Sequence, residues 1–275
     1  MTDLRSSDSS SAVQTDAHAL GAVQDDRLIA RVDKVTMRYG DKIVLEDCSL
    51  DVVKGAITCV IGLSGAGKST ILRLLNGLRR PERGHVYVKG FDICHMPERE
   101  LIDFRSAIGF AFQFAALLDS MTVGENVALP LHEHTRMSAE EIEETAEATL
   151  DSVGLENTYN MLPSELSGGM LKRAGFARAV VTNPDIVLYD EPTTGLDPII
   201  TNLLTDTIKH LRAKLNGTAV VISHDLHSIY MMADYIAMLY EGAIIAYGPT
   251  DEIRRSTNPI VQQFLQGSEV GPIPV

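Results

Sequence analysis

The chain has 275 residues, of which 45% are apolar and 22% are charged, an ordinary composition for one globular α/β domain. Its formal net charge of −13 argues against a nucleic-acid partner, because a phosphate backbone requires a basic protein surface. No stretch approaches the roughly 18–20 consecutive apolar residues that a membrane-spanning helix needs. We therefore expect a soluble protein that binds no nucleic acid.

The two ends of the chain differ in composition from its middle. Residues 1–26 are rich in Ser, Asp and Ala and lack the apolar segment of a secretory signal, so a disordered N-terminal tail is predicted. Residues 27–266 carry the periodic apolar patterns of a folded domain. Residues 267–275 include a Gly-Pro pair and are predicted to form an extended C-terminal tail.

Strand patterns open the folded domain. Residues 28–39 and 42–45 flank a Gly-Asp turn and predict one hairpin, and residues 85–89 begin a second. Residues 56–61 form a continuous apolar run, which is typical of a strand that is covered on both faces of a parallel sheet. A helix over residues 69–75 follows it. These patterns predict an antiparallel β subdomain beside an α/β core.

The middle of the domain, about residues 114–172, has few strand signals and is predicted to be an inserted α-helical subdomain. Ser138 and Glu141 form a capping box, and Ile142, Ala146 and Leu150 then recur at helical spacing.

Alternating strands and helices return after this insertion. We predict buried strands at 185–189 and 218–223, an amphipathic helix at 198–215 between them, and a closing hairpin with strands at 235–240 and 243–247.

The strongest functional signal is the segment GLSGAGKST at residues 62–70, which matches the phosphate-loop pattern between a strand and a helix. Backbone N–H groups of such a loop surround a phosphate, Lys68 adds positive charge at the β- and γ-phosphates, and the Ser69 hydroxyl can bind Mg²⁺. ATP and Mg²⁺ are thus the expected ligands. The predicted nucleotide-binding residues of this segment are Gly62, Ser64, Gly65, Ala66, Gly67, Lys68, Ser69 and Thr70.

A pair of acidic residues, Asp190 and Glu191, ends the predicted strand at 185–189. Ligands of open α/β sheets gather at the carboxyl ends of the strands. We expect Asp190 to hold Mg²⁺, directly or through water, and Glu191 to act as the general base that polarises the attacking water.

A third element, LSGGM at residues 166–170, lies about 20 residues before the acidic strand and resembles the signature motif of the ABC ATPases. Three further matches support this resemblance over about residues 28–266. Gln113 resembles the Q-loop glutamine, and Gly195-Leu196-Asp197 resembles the D-loop. His224 resembles the switch histidine. In addition, Tyr39 is placed like the aromatic residue that stacks on adenine. Each residue alone also fits a plain structural role, as a loop amide, a strand-end histidine or a packed aromatic.

The resemblance implies a fold, a set of roles and an assembly. The implied fold is a P-loop NTPase of the ABC nucleotide-binding type, and the implied assembly is a homodimer that encloses two ATP molecules. Catalytic roles fall to Glu191, His224, Lys68 and Gln113, with Gln113 also a metal ligand. Asp197 and the signature residues Ser167, Gly168 and Gly169 would contact nucleotide, the signature residues that of the partner subunit.

Met170 departs from the commonest signature, which has Gln at this position, and a thioether makes no useful hydrogen bond to ribose. Together with residues 112–127, 129–135 and 263–267, Met170 is similar to the Mla/Mce-type phospholipid transport ATPases. That resemblance implies phospholipid transport between two membranes and a peripheral position on the cytoplasmic face of the inner membrane. The implied partners are an integral permease (MlaE-like), an Mce-domain protein (MlaD-like) and a STAS-domain protein (MlaB-like).

Two alternatives remain at this point. The chain could energise an importer of another substrate, such as an amino acid or an inorganic ion. The second, less favoured alternative is an ABC-type ATPase without a permease. Such proteins usually carry long coiled coils, zinc modules or two fused cassettes, which do not fit in 275 residues.

Overall fold

The computed structural model describes residues 25–274, so the predicted N-terminal tail lies outside the described residues except for Asp25 and Asp26. The strands are β1 (Leu28–Tyr39), β2 (Lys42–Val53), β3 (Ile57–Ile61), β4 (Arg83–Val88), β5 (Phe91–Asp92), β6 (Ile108–Ala111), β7 (Ile186–Asp190), β8 (Thr218–Ile222), β9 (Tyr235–Tyr240) and β10 (Ala243–Pro249). The helices are α1 (Lys68–Leu75), α2 (Glu98–Arg105), α3 (Val123–His134), α4 (Ala139–Ser152), α5 (Gly168–Val180), α6 (Pro198–Leu215), α7 (Leu226–Met232), α8 (Thr250–Arg254) and α9 (Pro259–Gln266).

Two sheets form the frame of the domain. A four-stranded antiparallel sheet has the order β2-β1-β4-β5, and a six-stranded sheet has the order β10-β9-β3-β8-β7-β6. In the larger sheet every neighbouring pair is parallel except β9 and β10. The apolar runs at β3 and β8 are buried at all five of their positions, as the sequence predicted.

The core lies on both faces of the six-stranded sheet. Side chains alternate along each strand, so Cys59 and Ile61 of β3 join the cluster on the face of the helical segment. Val60 points to the other face, where it packs with α1 and with the antiparallel sheet. This two-sided burial explains why β3 and β8 read as unbroken apolar runs.

Helices α3 and α4 and the start of α5 occupy the predicted helical region. Ser138 and Glu141 form the expected capping box at α4, and Thr122 and Glu125 form a second at α3 that the sequence analysis missed. The buried Asn126 ties the preceding loop to α3, because its Oδ1 accepts from Leu118 N at 2.7 Å.

Several elements differ from the prediction. Strand β2 continues to Val53 rather than ending at residue 45, because its later residues still alternate between buried and exposed positions against β1. Strand β6 and helices α2, α7, α8 and α9 were not predicted. Strand β6 and helices α7 and α8 have four to seven residues, too few for a periodic pattern to stand out. Helices α2 and α9 have eight residues each.

The C-terminal segment was predicted as an extended tail over residues 267–275, and its described residues 268–274 are not extended. This segment folds back on α9, where Gln263 Nε2 donates to the carbonyl oxygens of Ser268 (3.2 Å) and Ile273 (3.0 Å). Gln263 Oε1 accepts from Ile273 N at 2.6 Å. Both Gln263 and Ile273 are buried. The side-chain amide therefore satisfies the backbone of the returning segment, and Ile273 gains apolar contacts.

Among the described residues, no helix is both long and apolar enough to cross a lipid bilayer.

Replacing Gln263 with Ala removes the three hydrogen bonds that hold the C-terminal segment and leaves buried polar groups of Ile273 unpaired. We expect the free energy of unfolding to fall by about 1–3 kcal/mol and protease cleavage after residue 267 to accelerate. Urea denaturation and limited proteolysis followed by mass spectrometry measure the two effects. Gln266→Ala is the matched control, because Gln266 is exposed on the same helix. Equal stability of the two variants would contradict this account.

Candidate nucleotide-binding site

The loop between β3 and α1 passes very close to neighbouring backbone. Gly62 has a φ of +145°, and a Cβ at this position would lie 2.2 Å from the carbonyl oxygen of Leu239. Gly67 has a φ of +106°, and its Cβ would lie 2.9 Å from a methyl group of Val44. Both positions therefore require glycine, for conformation and for space.

The loop places a positive charge beside the start of α1. Lys68 is buried, and its Nζ donates to the carbonyl oxygens of Gly62 and Leu63, both at 2.9 Å. Burial lowers the pKa of this ammonium group. No acidic residue occupies the first turn of α1, and no side chain caps it. The first N–H groups of α1 are thus free to bind an anion.

Ser69 reaches across to the acidic strand. Its hydroxyl donates to Asp190 Oδ1 at 2.9 Å. Burial raises the pKa of the Asp190 carboxyl, although this hydrogen bond opposes the rise. The two predicted oxygen ligands of a metal ion therefore lie side by side at the mouth of the phosphate loop.

Glu191 is held by two side chains from different loops. Its Oε2 lies 2.8 Å from His224 Nδ1 and accepts a hydrogen bond from Thr194 Oγ1 at 2.9 Å. Its φ of 49° lies in the left-handed region that residues other than Gly rarely adopt. A strained backbone conformation persists only where the surrounding structure imposes it, and such residues are concentrated at functional sites.

The phosphate loop, Glu191 and His224 border one cavity of about 1020 Å³. Its walls bring together most of the residues predicted from the sequence to bind or hydrolyse nucleotide. Those lining it are Tyr39, Gly62, Ser64, Gly65, Gly67, Lys68, Ser69, Thr70, Gln113, Glu191 and His224.

Tyr39 and Gln113, which are 74 residues apart in the sequence, both line this cavity. Tyr39 is about one-third exposed at the end of β1, and the guanidinium carbon of Arg79 lies 5.6 Å from the centre of its ring. Gln113 follows β6 and is half-buried. An aromatic ring and an amide that border the same cavity as the phosphate loop suit a ligand with a base and a phosphate chain.

Six predicted residues do not line the cavity. Asp190, the predicted metal ligand, is one of them and contacts the lining residue Ser69 through a hydrogen bond. Ala66 packs against the core beneath the loop. Ser167 caps α5 by accepting from Met170 N at 3.3 Å, and Asp197 caps α6 by accepting from two backbone N–H groups. Gly168 is exposed, whereas Gly169 is buried, with Ile200 too close to admit a Cβ. Their predicted contacts with nucleotide remain predictions.

Met170 is half-buried and packs against the core, so its side chain serves the base of α5 in this subunit.

Four residues that contribute to the site were not predicted from the sequence. Thr194 positions Glu191, and only the structure brings the two side chains together. Lys172 is buried in α5, where its Nζ donates to the carbonyl oxygen of Thr194 at 2.9 Å, which ties the signature helix to the loop after Glu191. Phe264, from α9, and Ile273, from the segment predicted as an extended tail, form part of the cavity wall.

Comparisons with known proteins agree with this geometry. The family described as ABC transporter matches residues 45–194, more than half of the chain. The intermembrane phospholipid transport system ATP-binding protein MlaF of Haemophilus influenzae is 38% identical over 245 residues, which cover 89% of this chain and 93% of that protein. The probable ribonucleotide transport ATP-binding protein mkl of Mycobacterium leprae is 39% identical over 242 residues, covering 88% of this chain and 70% of that one.

A solved structure shares the fold. A dimeric ATP-binding cassette in a post-hydrolysis state, bound to ADP and Pi, is 32% identical, with a TM-score of 0.74. The match covers 80% of this chain and 98% of that one. The predicted P-loop ABC fold is thus confirmed, with its α/β core and its antiparallel sheet. This chain belongs to the ABC transporter family and is an ATP-hydrolysing, nucleotide-binding subunit of a transporter.

Proposed function

We propose that this chain hydrolyses ATP to energise phospholipid transport between two membranes. The observation that carries the proposal is the likeness to MlaF, which extends over nearly the whole of that protein. The resemblance seen at Met170 and in the segment after Gln113 supports the same assignment.

Phosphate binding falls to the loop and the start of α1. The Lys68 ammonium lies within the loop, and the uncapped first turn of α1 adds the positive end of a helix dipole. A β- or γ-phosphate in the cavity would replace the two carbonyl oxygens that Lys68 now contacts. Tyr39 would stack on the adenine.

The side chains beside the loop fit Mg²⁺, a hard cation that prefers oxygen ligands. The Ser69 hydroxyl and the Asp190 carboxylate already lie 2.9 Å apart, and the Gln113 amide borders the same cavity. These three residues would hold the ion, which supplies charge neutralisation at the phosphates when bound.

Glu191 is proposed as the general base. A carboxylate can take a proton from water when it is oriented toward the reacting phosphate. His224 and Thr194 contact one of its oxygens, Oε2, and Glu191 lines the cavity, so its other oxygen would take the proton. His224 also lines the cavity and would stabilise the γ-phosphate as the bond to it breaks.

We infer that the active form is a homodimer. Ser167 and Gly168 are exposed at the N-terminus of α5 and lie outside the cavity of their own subunit. A second subunit could present them to the γ-phosphate, where free helix N–H groups favour an anion. The similar cassette with ADP and Pi is described as dimeric, which supports this arrangement.

The membrane partners are proposed from the resemblance of the sequence to the Mla/Mce-type ATPases. We place the chain at the cytoplasmic face of the inner membrane, against a MlaE-like permease, with MlaD-like Mce-domain and MlaB-like STAS-domain proteins in the complex. Phe112, Phe114 and Leu118 flank Gln113 and are exposed, Phe114 to 84%, which provides an apolar surface for a permease next to the nucleotide site. The likeness to mkl, whose name refers to ribonucleotide transport, favours another substrate as the second candidate.

Glu191→Gln keeps the shape of the side chain but removes its basicity. We expect ATP binding to persist while steady-state hydrolysis falls by roughly 10²–10⁴-fold, and dimers to accumulate in ATP. Phosphate release and size-exclusion chromatography measure the two effects. Glu144→Gln, on the exposed face of α4, is the control and should match the wild type. Wild-type turnover in Glu191→Gln would exclude the proposed base.

A mixture of two inactive variants tests the shared site. Ser167→Arg blocks one signature loop and Lys68→Ala disables one phosphate loop, so a mixed dimer retains one intact site. We expect mixing to restore ATP-dependent dimerisation and part of the hydrolysis. The control mixes Lys68→Ala with the Lys68→Ala/Ser167→Arg double variant, which leaves no intact site. The composite site is wrong if both mixtures behave alike.

The transported substrate is tested on the assembled complex. The chain is affinity-purified from membranes of its source organism, and co-purified proteins and lipids are identified by mass spectrometry. We expect a permease, an Mce-domain protein and bound phospholipid, with the same partners for the Lys68→Ala variant. An amino-acid-type permease without phospholipid would overturn the lipid assignment and leave the ATPase assignment intact.

A further inference from the structure

Three potential metal ligands meet at the free edge of the antiparallel sheet. His85 lies on β4, Asp92 ends β5, and His95 follows in the segment that leads to α2. One ligand atom from each residue lies within 4.8 Å of the other two. None of the three lines the nucleotide cavity.

The Asp92 carboxylate is oriented by the backbone. Its Oδ1 accepts a hydrogen bond from Cys94 N at 3.0 Å. Its Oδ2 consequently faces the two imidazoles, 2.7 Å from His85 Nδ1 and 3.6 Å from His95 Nδ1. In metal centres, hydrogen bonds of this kind hold the ligating carboxylate in position.

The segment that carries these ligands is tied to β4. Ile93 N donates to Val86 O at 2.9 Å, and Val86 N donates to the buried Cys94 sulfur at 3.2 Å. On the other side of His95, the Met96 carbonyl accepts from Arg80 at 2.6 Å. The backbone is thus held on both sides of His95, while the two imidazole side chains remain accessible to solvent.

We propose that His85, Asp92 and His95 bind a divalent transition-metal ion of the Zn²⁺ class. Two imidazole nitrogens and one carboxylate oxygen suit Zn²⁺ or Co²⁺ and do not suit Mg²⁺, which prefers oxygen ligands. With bonds of about 2.0–2.2 Å, the ligand atoms of a tetrahedral site lie roughly 3.3–3.6 Å apart. The His95–Asp92 pair, at 3.6 Å, already has that spacing. The His85–Asp92 pair, at 2.7 Å, must separate by roughly 0.6–0.9 Å, and the two imidazole nitrogens, which lie within 4.8 Å of each other, must reach the same spacing. Water fills the fourth position.

Such an ion would join β4, β5 and the segment before α2 at an edge that is otherwise held by a short strand. Binding to the folded state alone raises stability by mass action. The metal site is chemically separate from the Mg²⁺ position proposed beside the phosphate loop, so the two ions would not compete for ligands. The plain alternative is a His85–Asp92 ion pair that never takes a metal.

The test uses the full-length protein after treatment with chelator and desalting, without nucleotide. Titration with Co²⁺, followed by visible absorption, and with Zn²⁺, followed by calorimetry, should give one equivalent per chain at this site. His85→Ala and Asp92→Asn should weaken binding by roughly tenfold or more. Zn²⁺ should raise the melting temperature of the wild type and leave that of both variants unchanged.

Two further variants decide the outcome. His95→Gln alters a side chain that is 71% exposed, so it folds normally and should still lose the Co²⁺ absorption. His210→Ala, an exposed histidine on α6, is the control and should bind as the wild type does. Equal metal affinity in the wild type and His95→Gln, or no binding by the wild type at 100-fold molar excess or so, would overturn the proposal.

Discussion

The nucleotide site depends on how closely the loop after β3 approaches the strand beside it. At Gly62 a side chain would meet the carbonyl oxygen of Leu239 at 2.2 Å, so the loop can pass only as bare backbone. This passage brings Lys68 and the first N–H groups of α1 to one cavity wall. It also sets the position of Ser69, whose hydroxyl reaches Asp190. A loop that took a longer path would carry the Lys68 ammonium and the Ser69 hydroxyl away from Asp190 at the end of β7.

Parallel pairing in the central sheet supplies the other half of the site. Asp190 of β7 lies opposite Ile222 of β8, and the backbone N–H of Glu191 donates to Ile222 O at 3.0 Å. Because both strands end at the same edge, Glu191 and His224 emerge side by side. Their 2.8 Å contact is therefore a consequence of strand register. Thr194 and the left-handed backbone of Glu191 then orient the carboxylate.

The domain offers cations two kinds of surroundings. Oxygen donors gather beside the phosphate loop, where a nucleotide supplies further oxygens. Two imidazoles and one carboxylate gather at the free edge of the antiparallel sheet, and none of the three residues lines the nucleotide cavity. A separate feature is the N-terminus of α5. Ser167 and Gly168 are exposed there and do not line the cavity of their own subunit. The chain thus carries parts of a site that a second copy would complete.

The sequence by itself determined the phosphate loop, the acidic strand end, the buried parallel strands and the helix at 198–215. These features depend on local chemistry: glycine at forced backbone positions, unbroken apolar runs, and caps beside periodic patterns. Thr194, Lys172 and the returning C-terminal segment were decided by tertiary structure. Gln263 can hold Ile273 only after α9 has docked, and Lys172 can reach Thr194 only after α5 packs beside the loop. Contacts between distant segments leave no periodic pattern in the sequence, so they are visible only in the folded structure.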